Sequence, residues 1–411
     1  MNILILGSGG REHALAWAAQ QHPAADLVVV APGNAGTARV AERADLDPTD
    51  RAAVAELAVA EAIDLCIVGP EAVLAAGVAD RLREAGVAVL GPSAEAARIE
   101  TSKTFAKEVC DAAGVSTAAW TRCEDPAAAE AAIRAGALVV KADGLAAGKG
   151  VVVAETEEEA LAAARQMLAD GPVVVEERLW GREASFFALC DGEAAIPFGT
   201  AQDHKRALDG DRGPNTGGMG AFSPAPVLAG LEGRVMAEVV RPVLREMARR
   251  DVPYSGVLYA GLMVEGEAIR VVEFNARLGD PEAQVLMMRL GAQAVDLMLA
   301  CAEGRLAGER AHWADDHALC IVMASRGYPG AYEAGVEING LGDLPMTSRR
   351  MVFHAGTSER GGRLVSSGGR VLGVTTREDT LGAARAAAYE LLGEVDFPGA
   401  HWRTDIGSGE P

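Results

Sequence analysis

Nowhere in these 411 residues does an apolar run approach the ~20 residues that a membrane span needs, because Gly, Asp, Glu or Arg interrupts every candidate. The first run, residues 3–6, stops at Gly7, has no basic leader and meets Arg11 and Glu12, so it reads as a buried strand and not as a signal peptide. Cysteine offers no framework either. Cys66, Cys110, Cys123, Cys190, Cys301 and Cys320 stand singly, with no Cys-x-x-Cys pair and no histidine at zinc-ligand spacing. They read as core thiols in a reducing compartment. Positive charge is scarce: 38 Lys and Arg against 58 Asp and Glu leave a formal net charge of -20, which repels a phosphate backbone. No basic stripe with interleaved aromatics compensates, so a nucleic-acid partner is a poor reading and the acidity serves solubility. Internal repeats and low-complexity linkers are missing too. The expectation is a cytoplasmic protein with no membrane or nucleic-acid partner. At ~150 residues per domain the length suggests two to four domains, each able to bury a core without disulfides.

What is present begins with a pattern of short Val/Ile/Leu strand, turn and Ala-rich helix over residues 1–100. Apolar strands at 3–6, 27–30, 65–68 and 87–90 with helices between them predict an open parallel sheet, whose carboxyl edge is where ligands sit. A change of unit follows Gly114. Strongly β-branched runs at 138–140, 151–153 and 173–175 predict a small α+β layer. Beyond Gly181 longer strands at 185–190, 254–264 and 268–274, a Gly/Pro-rich loop at 213–226 and a helix at 234–250 predict a larger α+β unit. After about residue 306 short strands and turns return, with Gly361-Gly362 and Gly368-Gly369 as hairpin candidates.

Five stretches carry chemistry. The turn Gly7-Ser8-Gly9-Gly10-Arg11-Glu12-His13 follows a strand and opens a helix, where backbone N–H groups suit an anion. It falls short of a dinucleotide fingerprint, because Glu12 takes the third glycine position and the second strand ends Val30-Ala31-Pro32 without an acid for a ribose diol. A purely structural tight turn stays open as the alternative. In Lys141-Ala142-Asp143-Gly144-Leu145-Ala146-Ala147-Gly148-Lys149-Gly150 two lysines flank a glycine turn between strands, and the spacing is not that of a Walker A loop. A lysine closing so apolar a strand is costly unless it meets an anion.

The strand 173–175 ends in Glu176-Glu177-Arg178-Leu179, followed by Glu183, which suits an adenine edge and ribose hydroxyls or, equally, a solvated acidic strand end. In Glu273-Phe274-Asn275-Ala276-Arg277 the strand period puts a carboxylate, an amide oxygen and a guanidinium on one face. Oxygen donors of this kind suit Mg²⁺, and the guanidinium suits a carboxylate or phosphate. Gln202-Asp203-His204-Lys205-Arg206 before the glycine-rich run 213–220 reads as a substrate loop. With no Ser or Cys elbow near, an Asp-His nucleophilic triad is unsupported.

These motifs, together with Pro32-Gly33-Asn34-Ala35-Gly36-Thr37, Val68-Gly69-Pro70-Glu71 and Gly213-Pro214-Asn215-Thr216-Gly217-Gly218-Met219-Gly220, occur in one order through the whole chain. Jointly they resemble the phosphoribosylamine-glycine ligase family, ATP-grasp enzymes also called glycinamide ribonucleotide synthetases. The resemblance implies an α/β and α+β multidomain fold: an N-terminal open parallel sheet (1–101), a two-lobed ATP-grasp unit (102–305, small lobe about 115–180, large lobe about 181–305) and a small β-rich C-terminal domain (306–411). It implies ligation of glycine to 5-phosphoribosylamine through glycyl phosphate, with ATP as co-substrate and Mg²⁺ or Mn²⁺ as cofactor, in a monomer or weak dimer.

Carried over by position, the resemblance implies that ATP meets Lys103, Lys141, Gly144, Gly148, Lys149, Glu176, Glu177, Arg178, Leu179 and Glu183. It implies that the substrates meet Gly9, Gly10, Arg11, Glu12, Asn34, Glu71, Asp203, His204, Lys205, Asn215, Thr216, Gly217, Gly218, Arg277 and Asp280. Glu273 and Asn275 become the metal ligands, and Lys141, Arg277 and Asp203 the catalytic groups.

The chain departs from the family pattern in places. Only Ala169-Asp170-Gly171-Pro172 stands where a longer glycine-containing loop is usual, Arg178 replaces an aromatic residue, Leu278 replaces a Phe, and residues 259–263 offer no metal carboxylate. Rival readings are another ATP-grasp carboxylate-amine ligase, an NAD(P)-linked oxidoreductase and a non-catalytic nucleotide-binding module.

Overall fold

The computed structural model describes residues 1–145, 150–342, 344 and 346–409. The N-terminal strands form one parallel sheet in the spatial order Glu42–Arg43, Leu27–Pro32, Asn2–Gly7, Leu65–Val68, Ala88–Leu90. Both faces of the central strand are covered: Ile3 and Ile5 pack with Trp17 and Met287, Leu4 and Leu6 with Val54, Leu74 and Leu82. Burial on both sides is why this strand reads as an unbroken apolar run and not as an alternation. The fifth strand was not expected. Glu42–Arg43 is two exposed charged residues at the sheet edge, too short and too polar to carry a pattern.

A second, four-stranded sheet runs Trp120–Cys123, Val173–Glu176, Val139–Ala142, Val151–Val153. Helices Pro126–Arg134 and Glu157–Met167 cover it, started by the side-chain caps Asp125 and Thr156. Its core of Cys123, Ile133, Val140, Ala160, Val173 and Val175 is separate from the others.

The largest sheet has eight antiparallel strands in the order Ala268–Asn275, Ser255–Glu265, Arg182–Asp191, Ala195–Asp203, Gly220–Ser223, His317–Ala324, Arg370–Glu378, Arg350–His354. The C-terminal strands thus continue the sheet of the preceding unit. Helix Glu282–Leu290, all nine residues buried, lies against this sheet and against helix Gly10–Gln20, which joins the N-terminal unit to the rest. Among the described residues no single helix is long and apolar enough to cross a membrane. All six cysteines are buried free thiols, as expected of core residues.

Two expectations need correction. The stretch 213–226 is not simply a loop: Arg212–Asn215 pairs with Arg206–Leu208, and Gly220–Ser223 sits inside the large sheet between Ala195–Asp203 and His317–Ala324. Glycine and proline hide strand character where the pairing partners are supplied from far away. Gly361-Gly362 does turn a hairpin, joining Thr357–Arg360 to Arg363–Ser366, whereas Gly368-Gly369 does not. The strand after it pairs with His317–Ala324 and Arg350–His354, and these glycines permit close backbone approach: a Cβ on Gly356 would lie 2.5 Å from Gly368 Cα.

The N-terminal unit grips the C-terminal strands through one residue's backbone. The N–H of His354 donates to His13 Nδ1 at 2.8 Å, and its carbonyl accepts from Asn34 Nδ2 at 2.8 Å. Gly36 leaves room for both rings, since a Cβ there would stand 2.4 Å from His354 Cγ. Burial, reinforced by Arg39, pushes His354 down to about 3; burial, then His354 and Arg39, hold His13 well below its ordinary 6.5. Both imidazoles are neutral when folded and take a proton more readily when unfolded, so stability present above pH ~6.5 is lost as pH falls toward 3. Each histidine adds a slope of at most about 1.4 kcal/mol per pH unit. Urea midpoints compared at pH 7 and pH 5 should show the drop, and His13→Asn, which keeps an acceptor but cannot be protonated, should reduce it. Equal slopes in the two proteins would remove His13 from this linkage.

Candidate active site

Lys141 closes strand Val139–Ala142 and is 4% exposed. The anion it meets is internal: its Nζ lies 3.0 Å from Glu176 Oε1 and donates to the carbonyl of Val272 at 3.0 Å. Glu176 is therefore buried, and the reading of a solvated acidic strand end fails for it. Its other oxygen pairs with Lys107 Nζ at 2.9 Å. Lys103 opens helix Lys103–Ala113 and donates to Gly144 O at 3.2 Å, while the Asp143 carboxylate accepts from Thr104 Oγ1 at 2.6 Å and from Ser102 Oγ at 3.2 Å. The start of the lysine turn is thus held onto this helix end. Gly148 and Lys149 lie outside the described residues.

Facing these cations is the end of strand Ala268–Asn275. Burial alone would raise the half-buried Glu273 carboxyl, but Lys205, Lys141, Lys103 and Arg277 hold it below the usual carboxylate range. Lys205 Nζ stands 3.8 Å from Glu273 and makes a closer ion pair with Glu183. Its ammonium is held well above its ordinary value against burial by Glu183, Asp203, Tyr259 and Glu273. Asp203 is pushed up to about 8 by burial and by Glu282, Glu183 and Glu273, with Lys205 opposing. The site has a surplus of acidic oxygens around one lysine. That donor set fits a hard divalent cation. Among the described residues no three His, Cys, Asp or Glu side chains form a metal site by themselves, so a metal here would complete its shell from ligand oxygens and water.

Arg277 stands beyond the end of the strand and not within its alternation. It reaches back to donate to Asn275 Oδ1 at 3.3 Å, so the two groups do adjoin. Its guanidinium is taken by Glu100 at 2.8 Å and Glu71 at 3.4 Å. Burial would lower Arg277, but Glu100 and Glu71 raise it above its ordinary value.

The glycine turn has its own anion. The Glu12 carboxylate accepts from the N–H of Gly9 at 2.5 Å and pairs with Arg11 Nε at 2.6 Å, and it fills the space over Gly69, where a Cβ would stand 1.9 Å from Oε1. Arg11 also donates to Leu278 O at 2.9 Å. A pyrophosphate has no open N–H cradle at this point, which argues against the dinucleotide reading.

Beside the turn opens a polar cleft of about 390 Å³ lined by Ser8, Gly9, Asn34, Asp280, Thr357 and Arg370, among others. Asp280 is held below the usual carboxylate range, against burial, by Arg370 and Arg11. Arg370 donates to Gly217 O at 2.6 Å and to Asp280 O. Asn34 spends its amide on Ser8 O, His354 O, Gly36 N–H and Thr37 N–H, so it shapes the cleft wall.

The other expected residues fall around these two places. Glu177 accepts from Ala119 N–H, and Arg178 stacks over exposed Trp180 at 4.3 Å, which puts an aromatic two residues beyond the expected position. Leu179 is half-buried beside them. His204 tilts against Phe222, its Nδ1 without a hydrogen-bond partner. Thr216 Oγ1 donates to Lys205 O, Gly217 N–H donates to Tyr328 Oη, and Gly218 N–H donates to Thr216 Oγ1. Asn215 pairs in register with Arg206, and buried Gly10 packs against Gln284. Sequence reasoning passed over Lys107, Glu100, Glu282 and Arg370. For Lys107 a signal existed, one helical turn after Lys103 on the same face. Arg370 had none.

Comparison with known proteins adds the following. The family models for phosphoribosylglycinamide synthetase match in three parts: the N domain at residues 1–100, the ATP-grasp (A) domain at 101–283 and the C domain at 318–409. The chain is 50% identical over 416 residues to a phosphoribosylamine-glycine ligase of Mesorhizobium japonicum, covering 99% of this chain and 98% of the relative. It is 49% identical over 412 residues to the enzyme of that name from Streptomyces coelicolor, with the same coverage. The crystal structure of phosphoribosylamine-glycine ligase from Thermotoga maritima superposes with a TM-score of 0.85 at 34% identity, over 99% of this chain and all of that one. A biotin carboxylase domain from Hydrogenobacter thermophilus shares the fold at 16% identity, with a TM-score of 0.72, over 98% of this chain and 91% of that one.

The Arg277 network makes a prediction of its own. Arg277→Met removes the principal cation beside buried Glu100, which should destabilise the fold by roughly 3–5 kcal/mol. The Arg277→Met/Glu100→Gln pair should recover a large part of that loss. Chemical denaturation of both variants checks it, and an unshifted midpoint for Arg277→Met would show the pair to be incidental.

Proposed function

This chain belongs to the phosphoribosylglycinamide synthetase family and ligates glycine to phosphoribosylamine with ATP in purine biosynthesis, and we propose that the step runs through glycyl phosphate where the small lobe faces strand Ala268–Asn275. One observation supports this placement above the rest: Lys103, Lys141 and Lys205, from different elements, hold the Glu273 carboxyl below its usual range, with Lys205 Nζ 3.8 Å away. Cations from one side and an oxygen donor from the other frame the position of a terminal phosphate.

In this reading the glycine carboxylate attacks the γ-phosphate in line, ADP leaves, and Lys103 and Lys141 disperse the charge that develops. Glu273 and Asn275 would hold Mg²⁺ or Mn²⁺. A divalent cation there supplies charge neutralisation to the phosphate oxygens. The strand end borders the adenine through Glu177, Arg178, Leu179 and the backbone of Glu176, whose buried carboxylate is taken by Lys107 and Lys141, and Glu183 borders the ribose. Arg277, anchored by Glu100, and the Asp203–Lys205 pair stand beside the glycine. The amine of 5-phosphoribosylamine then displaces phosphate from glycyl phosphate, giving glycinamide ribonucleotide and inorganic phosphate. Its ribose phosphate enters the polar cleft, where Arg370 is the cation and Gly9, Asn34 and Asp280 the walls. Segment 275–280 links the two places, since Arg11 and Arg370 both bond to it.

We take the domain limits as 1–101, 102–305 and 306–411, the location as cytoplasmic and the state as a monomer or weak dimer without membrane or nucleic-acid partners. Six free buried thiols support the cytoplasmic location, and a net charge of -20 supports the absence of a nucleic-acid partner. The filled glycine turn leaves the oxidoreductase alternative without support.

ADP release should require glycine and phosphoribosylamine together with ATP; ADP formation no greater than with ATP alone would sink the assignment. Glu273→Ala should lower kcat by about 100-fold or more at limiting magnesium, as loss of a transition-state charge interaction does. Arg370→Ala should raise KM for phosphoribosylamine about tenfold and leave KM for ATP unmoved. If instead both KM values stay at the wild-type level, the ribose phosphate does not meet Arg370.

A further inference from the structure

Lys107, Glu176 and Lys141 form a chain of three charges in which every member is at most 5% exposed. They come from three different elements: Lys107 from helix Lys103–Ala113, Lys141 and Glu176 from adjacent strands of the small-lobe sheet. Lys107 Nζ takes Glu176 Oε2 at 2.9 Å and donates to Thr117 Oγ1 at 2.8 Å, which in turn donates to Val271 O at 2.7 Å. Lys141 Nζ takes the other oxygen of the same carboxylate, at 3.0 Å. Two buried ammonium groups thus share one buried carboxylate, and the trio carries a net positive charge.

We propose that Lys107 is a positioning residue for the nucleotide, one that keeps Glu176 neutralised so that Lys141 can leave it for the phosphates of ATP. The charge arrangement requires such a residue. A lone Lys141–Glu176 pair would be neutral and closed, and drawing the lysine toward phosphate would strand an uncompensated carboxylate in a buried place, where desolvation makes it costly. With Lys107 fixed by both Glu176 and Thr117, the carboxylate keeps a partner whichever way Lys141 turns. Lys107 touches neither substrate nor phosphate in this scheme; it acts through Glu176 on Lys141. Because Lys103 is one helical turn earlier, a single helix presents one lysine to the phosphate side and another to the carboxylate behind it.

The proposal rests on the reading that Lys141 meets the ATP phosphates, so Lys141→Met is measured in parallel. Calorimetric titration with MgATP and steady-state KM values for all three substrates provide the readouts. Lys107→Met keeps the stem and deletes the charge; Glu176 retains Lys141, so no bare charge is created. It should weaken ATP binding about tenfold, a change of ~1.4 kcal/mol, with KM for glycine and phosphoribosylamine within about twofold of wild type. Lys107→Arg should hold ATP affinity within about twofold of wild type. Lys107→Met/Glu176→Gln, which removes the locking carboxylate as well, should recover most of the lost affinity. A merely structural Lys107 would give a lowered melting temperature, equal losses for all three substrates and no recovery in the double variant, and that result overturns the proposal. So does unchanged ATP affinity in Lys107→Met when Lys141→Met has weakened ATP. If Lys141→Met leaves ATP affinity intact, the parent reading fails and this one with it. Should Lys107→Met not fold, the double variant decides alone: ATP affinity near wild type supports the scheme and its loss refutes it.

Discussion

The Arg277–Glu100 ion pair, 2.8 Å long, with Glu100 buried and Arg277 mostly so, ties the N-terminal unit to the end of the oxygen-donor strand. Glu100 comes at the end of the N-terminal unit, Arg277 from just past the strand that carries Glu273 and Asn275. The same carboxylate accepts from the N–H of Ala276 at 2.7 Å, so it holds the backbone as well as the side chain. Burial pushes Glu100 above the usual carboxylate range, and Arg277 works against that. Such a pair contributes little net stability, because desolvating both ions consumes most of their attraction. Its value is directional. It fixes where the strand ends, and with it the residues on either side: the oxygen donors before the joint and Asp280, at the wall of the cleft, after it. Glu71 on the same guanidinium brings a second N-terminal turn to the same point.

A similar logic explains why a strand-turn-helix that nearly spells a dinucleotide site is not one. The N–H groups at a helix N-terminus attract anions, and the fold can satisfy that demand from inside or leave it to a ligand. Here Glu12 supplies the anion from the first turn of the same helix, in the capping-box position, and its carboxylate occupies the volume that Gly7 and Gly69 leave empty. The glycines remain necessary, but for the side chain and not for a cofactor. The turn offers the adjoining cleft a shaped wall of Ser8 and Gly9, beside Asn34 from the next turn.

Much of this was legible in the sequence because the informative signals are local. Buried parallel strands show as unbroken apolar runs, and the oxygen-donor strand shows as Glu273 and Asn275 two residues apart. What escaped was whatever depends on a distant partner. Gly220–Ser223 becomes a strand because Gln202 and Asp203 lie on one side of it and Ile321 to Ala318 on the other, the second a pairing separated by some hundred residues of chain. Glu176 looks solvated beside Glu177 in sequence, yet Lys107 and Lys141 bury it. Arg370 reaches the polar cleft from a strand on the far side of the large sheet, and nothing around it in sequence distinguishes it from a surface arginine. The expectation that a lysine must meet an anion at the end of so apolar a strand was sound physics, and the anion came from the protein first.

The small lobe and the oxygen-donor strand are coupled through backbone groups and not only through charges. Thr117 pairs with Val271, whose N–H donates to Ser116 O and whose carbonyl accepts from the Thr117 hydroxyl, while Lys141 donates to the carbonyl of the next residue, Val272. Two consecutive carbonyls immediately before Glu273 are thus held from the small-lobe side. A displacement of Lys141 toward a ligand releases one of these and leaves the other in place, since Thr117 is tied independently by Lys107. In the proposed scheme the oxygen donors therefore keep their alignment while the lysine moves. A site that must place charge accurately at a transferring phosphate needs fixed donors and one adjustable cation, and in the proposed scheme the separation of these two duties between neighbouring carbonyls of one strand meets that need.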